Sequence, residues 1–144
     1  MANASYELVE YPLRNGISMI ALREKGSESF IESLNRGKTR QRAAAIVRSI
    51  ERLLQNGLDW GFASKTVKRL HGNYGDIVLY ETRCNGQVIR VMTYIHGGAN
   101  GRPVFLFDFD GHKARSSIGG ISRETLRRGE QLAVIAKELM NAQE

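Results

Sequence analysis

The chain has 144 residues, 42% of them hydrophobic and 25% charged, which fits one soluble globular domain large enough for a real core. Its 21 Lys and Arg against 15 Asp and Glu leave a formal charge of +6, favouring an anionic partner: nucleic acid, a membrane surface or an acidic protein. A single cysteine, Cys84, excludes an internal disulfide and a cysteine-based metal cluster, and points to a reducing cytoplasm. The early apolar run at 17–22 falls far short of the ~20 residues of a bilayer span and lacks the marks of a signal peptide.

Residues 6–13 read as an opening strand, which Pro12 confines to an edge or an exit. Arg14-Asn15-Gly16 signals a turn, and 17–22 a second short strand. Ser27 is placed to cap a short helix through Phe30, Ile31 and Leu34, which Arg36-Gly37 stops. A longer helix follows from about 38 to 55, with Ala43, Ile46, Val47, Ile50, Leu53 and Leu54 along one stripe. Arg40, Arg42, Arg48 and Arg52 lie mostly off it. Together the two helices form a helical hairpin.

Strands at 77–83 and 87–95 flank Asn85-Gly86, the strongest short hairpin signal, because a type I′ turn needs positive φ at both positions. A Gly-rich loop then leads into a strand at 103–109 with the core Val104-Phe105-Leu106-Phe107. Ser122 can cap a final helix that carries Glu124 in its first turn. Leu132, Ile135, Ala136, Leu139 and Met140 make its apolar stripe. Gly129 within it costs about 1 kcal/mol against Ala, which predicts a first half that frays or docks late.

The two-residue turn fixes register: Cys84 faces Gln87, Thr82 faces Ile89, and Glu81 faces Arg90. One face of the hairpin then carries Val78, Tyr80, Thr82, Ile89, Val91 and Ile95, a core face for the early helices to cover. The other carries Leu79, Glu81, Arg83, Val88, Arg90, Met92 and Tyr94, its charges gathered toward the turn. The plain reading is a solvated face with a Glu81–Arg90 ion pair worth roughly 0.2–1 kcal/mol. The sharper one is a positively charged floor for phosphate, since a guanidinium donates two hydrogen bonds to one phosphate.

The last strand ends abruptly in Asp108, Asp110, Gly111, His112, Lys113 and Arg115, which should sit near the same sheet edge. His112 is the best placed group for proton transfer, and Lys113 and Arg115 can neutralise phosphate; an exposed turn histidine is the alternative. His71, His96 and His112 lack the spacing of a metal site. Asp108 and Asp110 share a face and could hold a divalent cation weakly, though a solvated strand end explains them too. No P-loop, dinucleotide fingerprint or nucleophile elbow occurs.

The order FIESLNRGKTRQRAAAIVRSIERLLQNG, VKRLHG, LYETR, the Asn-Gly hairpin with IRVMTYI, VFLFDFDGHKA and ISRETLRRGEQLAVIAKEL resembles the RelE/HigB superfamily of toxins, most closely its phage-derived HigB-like branch. The resemblance spans about residues 27–140. It implies an α+β fold: N-terminal strands and a helical hairpin on a curved antiparallel sheet, then a C-terminal helix, with a concave RNA-binding face opposite the helices. It implies ribosome-dependent, metal-independent mRNA cleavage without a cofactor, in the cytoplasm and away from membranes. An adjacently encoded antitoxin of helix-turn-helix type would neutralise it. By the same resemblance Arg90 contacts the scissile phosphate and His112 and Lys113 supply acid/base or transition-state stabilisation. Arg83, Lys68, Arg69 and Arg115 would bind RNA. The chain departs from the pattern at Leu79 and Glu81, where RelE carries lysines, and no tyrosine follows the last strand. Residues 114–120 make a longer link than usual, and residues 1–26 fit poorly.

Two other readings stand beside this one. A ParE-like protein would keep the fold and bind DNA gyrase without chemistry. A basic mobile-element accessory protein would bind nucleic acid passively, with steep salt dependence.

Overall fold

The computed structural model describes residues 5–34, 40–70, 74–84, 87–98, 101–109 and 121–144. Its six strands are β1 (Tyr6–Pro12), β2 (Ser18–Glu24), β3 (Val67–Arg69), β4 (Ile77–Cys84), β5 (Gln87–His96) and β6 (Arg102–Phe109). They form one sheet in the order β1-β2-β6-β5-β4-β3. Helices α1 (Phe30–Leu34), α2 (Arg40–Asn56) and α3 (Leu58–Ala63) lie between β2 and β3, and α4 (Arg123–Gln143) follows β6. The class is α+β, as expected from the sequence.

Local chemistry sets most of these elements. At the β1–β2 turn Asn15 and Gly16 adopt φ of +61° and +70°, the left-handed region that these two residues tolerate best. The β4–β5 ladder has the expected register, with Thr82 opposite Ile89 and Glu81 opposite Arg90. The cap of α1 is Ser29, not Ser27. Ser29 Oγ accepts from the Glu32 amide at 3.4 Å while the Ser29 amide donates to Glu32 Oε1 at 2.8 Å, a reciprocal capping box. At α4 the expected cap is present, Ser122 Oγ accepting from the Thr125 amide.

Two expectations about the sheet are corrected. It is mixed, because β2 pairs with β6 in parallel through Ile20↔Val104 and Ala21↔Phe105. A chain that leaves β2, crosses through helices and returns beside it can run in the same direction, which a tight turn cannot achieve. The helices also cover both faces. From α1 and α2, Phe30, Ile46, Ile50 and Leu53 pack on Val78, Tyr80, Val91 and Phe105. On the far side Leu132, Ile135, Ala136 and Met140 of α4 pack on Met92, Tyr94, Val104 and Leu106. Alternation makes the second face apolar too, and its burial contributes roughly 25 cal/mol per Å².

Gly129 is buried where α4 crosses β5, so the helix is docked on the sheet at this glycine. The short elements α3 and β3 carry no periodic signal and are not anticipated by the sequence. No helix among the described residues is long and apolar enough to cross a membrane.

Candidate nucleic-acid interface

The charged residues of the hairpin lie at the end of the sheet where β4 turns into β5 and β6 ends. Strand alternation brings Lys68 of β3, Glu81 of β4 and Arg90 of β5 to one face, in a row across three neighbouring strands. Lys68 Nζ donates to Glu81 Oε1 at 2.6 Å. Arg90 Nε lies 3.4 Å from Glu81 Oε2. The Glu81 amide donates to the Thr66 carbonyl at 2.8 Å, tying the start of β3 to the row. Exposure grades along it: the Lys68 side chain is 39% exposed, Glu81 13% and Arg90 5%. A carboxylate held between two cations can take a proton from a hydroxyl brought against it, and the cations stabilise anionic charge that develops nearby.

Of the predicted residues, Arg90 and Lys68 come together here, and Arg83 lies two residues beyond Glu81 on the same face, exposed. Arg90 is not a free prong. It is almost fully buried, on the face that α4 covers, and its immediate partner is a carboxylate. Arg69 points to the opposite face, where its guanidinium sits 4.7 Å above the Phe62 ring. Adjacent strand residues diverge in this way, so Lys68 and Arg69 cannot share one phosphate. His112, Lys113, Arg115, Asp110 and His71 lie outside the described residues, as does the Asn85-Gly86 turn.

Glu81, which departs from the RelE pattern, is the centre of the row. Its signal was the register that set it opposite Arg90. At the start of α4, Arg123 and Arg127 are exposed, while the Arg128 guanidinium lies 4.4 Å over the Phe107 ring. His96, at the opposite end of β5, is engaged elsewhere: its Nδ1 meets the Tyr94 hydroxyl at 3.0 Å and its Nε2 lies 3.4 Å from Glu144. Among the described residues no cluster of His, Cys, Asp and Glu could hold a metal ion.

The chain matches no protein-family model, and no curated protein or solved structure is significantly similar to it.

Proposed function

We propose that this protein is a RelE/HigB-like toxin, a ribosome-dependent endoribonuclease that cuts mRNA and is held in check by a small antitoxin. The observation that supports it most is the Lys68–Glu81–Arg90 row at the sheet end from which the chain runs on into His112, Lys113 and Arg115. RNA carries its own nucleophile. The ribose 2′-hydroxyl attacks the adjacent phosphorus, a 2′-O–P bond forms, and the P–O5′ bond breaks. The products are a 2′,3′-cyclic phosphate and a 5′-hydroxyl end. Such a reaction asks the protein for positioning, a proton acceptor, a donor for the leaving oxygen, and positive charge on the phosphorane.

In this reading Lys68 and Arg83, the exposed cations, meet the RNA backbone. Glu81 is the proton acceptor for the 2′-hydroxyl, and Arg90 orients it from beneath. His112 and Lys113 keep the leaving-group and charge-stabilising roles that the resemblance implies. The burial of Arg90 against Glu81 favours a second reading, the same fold acting as a ParE-like inhibitor that binds gyrase without chemistry.

Induction of the protein alone in a bacterium, with mapping of new 5′-hydroxyl ends, tests both. Growth arrest with cuts inside translated codons, lost in Glu81→Gln, is the expected result. Arrest with an SOS response and no cuts would replace it with the gyrase reading. Absence of arrest would remove both and leave passive nucleic-acid binding.

A further inference from the structure

The sheet is split at the end remote from the charged row. β1 stays paired with β2 down to Ser18, and β5 stays paired with β6 down to Arg102. Between β2 and β6, however, the parallel ladder stops at Ile20↔Val104. The next residue of β6 is Pro103, which has no amide hydrogen to continue it. β2 and β6 part there, and a cavity of about 320 Å³ opens in the fork. That volume is at the small end of the range of ligand pockets.

Ile20 from the sheet and Leu53, Leu54 and Leu58 from the α2–α3 junction give the cavity an apolar wall, and Ser18, Gly57 and Gly101 line its polar remainder. Arg102, exposed, lines its mouth. Among the described residues no carboxylate lines the cavity and the Arg102 guanidinium has no ion pair. A cavity with one leucine-rich wall and an exposed guanidinium among its lining suits a small ligand with an apolar chain and an anionic head. A carboxylate suits that head, because its two oxygens match the planar fork of arginine.

We propose that this fork is a binding site for a short-chain aliphatic carboxylate, its chain among Leu53, Leu54 and Leu58 and its carboxylate on Arg102. Bound there, the ligand would touch β2, β6 and the α2–α3 junction together. The site is independent of the charged row and of the function proposed for it.

Hexanoate, with 1-hexanol as its neutral counterpart, tests this by titration of the full chain followed in amide ¹H–¹⁵N spectra. Hexanoate should produce saturable shifts at the amides of Ser18, Gly57, Leu58, Gly101 and Arg102, with hexanol about tenfold weaker. Arg102→Gln, at an exposed position, should bring hexanoate down to the level of hexanol and leave hexanol unchanged. Leu54→Trp, which fills the chamber, should remove the shifts while amides elsewhere keep their positions. Equal binding of the two probes, full hexanoate affinity in Arg102→Gln, or no saturable shift at these amides would overturn the assignment. So would binding confined to a peptide with a free C-terminal carboxylate.

Discussion

Gly129 of α4 rests directly on Met92 of β5: a Cβ on this glycine would stand 2.9 Å from Met92 Cγ and 3.1 Å from its Sδ. Met92 is itself fully buried, with little room to retreat. The glycine that weakens the helix as a sequence is what lets the helix lie close on the sheet.

Gly129→Ala should therefore destabilise the protein by about 1 kcal/mol, although alanine is the better helix former by a similar amount. Urea unfolding reads the sign, and the loss should shrink when Met92 is shortened to Ala in the same chain. A stabilised single variant would mean that α4 does not press on β5 at this point.

Arg90→Ala should cost about 3 kcal/mol of stability, because it strips a buried charge partner from Glu81. Arg83→Ala, at an exposed position, should stay within about 0.5 kcal/mol of the parent. Thermal and denaturant unfolding of the two variants checks this. Loss of toxicity in Arg90→Ala is then informative only beside a measurement of folded protein, whereas loss in Arg83→Ala speaks directly to RNA contact.

Tyr80 is buried with its hydroxyl donating to Ser49 Oγ at 2.5 Å, and burial pushes its pKa up to about 12. The folded state thus holds the phenol proton more tightly than the unfolded chain, whose value is near 10. Its contribution is fully present below pH 10 and is lost as the pH rises toward 12, amounting to about 3 kcal/mol. Burial also raises Tyr11 and Tyr94, which add to the same alkaline trend. Tyr80→Phe should cost about 1 kcal/mol at neutral pH and flatten the decline above pH 10, as read by unfolding at a series of pH values.

Arg23 ties the β1–β2 hairpin to α1, donating to both Glu32 oxygens at 2.8 and 2.9 Å and to Glu7 Oε2 at 2.7 and 2.9 Å. The Ser29 amide, and after it Arg23, hold the Glu32 carboxyl below its ordinary value. Stability from this group is present above the ordinary carboxylate range and is lost as the pH falls through the lowered value. The protection of α1 amides against exchange, taken relative to the intrinsic rate at each pH, should fall on acidification before that of the core of the sheet. In Arg23→Ala the acid sensitivity should lessen without vanishing, since the Ser29 amide remains.

The hairpin was legible because a two-residue turn leaves one register, and one register sorts every side chain of both strands by face. The stripe of α2 was legible for the same kind of reason, Ile46, Ile50 and Leu53 recurring at helical spacing. What the sequence withheld was the destination of α4. Met92 and Tyr94 share a face with Glu81 and Arg90, and alternation alone cannot tell a half-covered sheet face from an open one. The cover is a helix far along the chain, docked through a glycine whose cost looks like weakness until Met92 is seen beneath it. The parallel β2–β6 pair was hidden likewise, since nothing in either strand encodes the direction of its neighbour. Lys68 and Arg69 look alike as sequence, and only the placement of the three-residue β3 separates them.

The pairing of Ile20 with Val104 also orders events during synthesis. β1 and β2 can zip together early, but the inner edge of β2 has no partner until α1–α3 and three further strands have been made. At roughly 5–20 residues per second, that edge stays open for several seconds on every new chain. An open strand edge is a template for strands of other chains. The nascent protein is therefore most exposed to mispairing just before its final strand arrives, and a chain cut short ahead of β6 would keep that edge permanently.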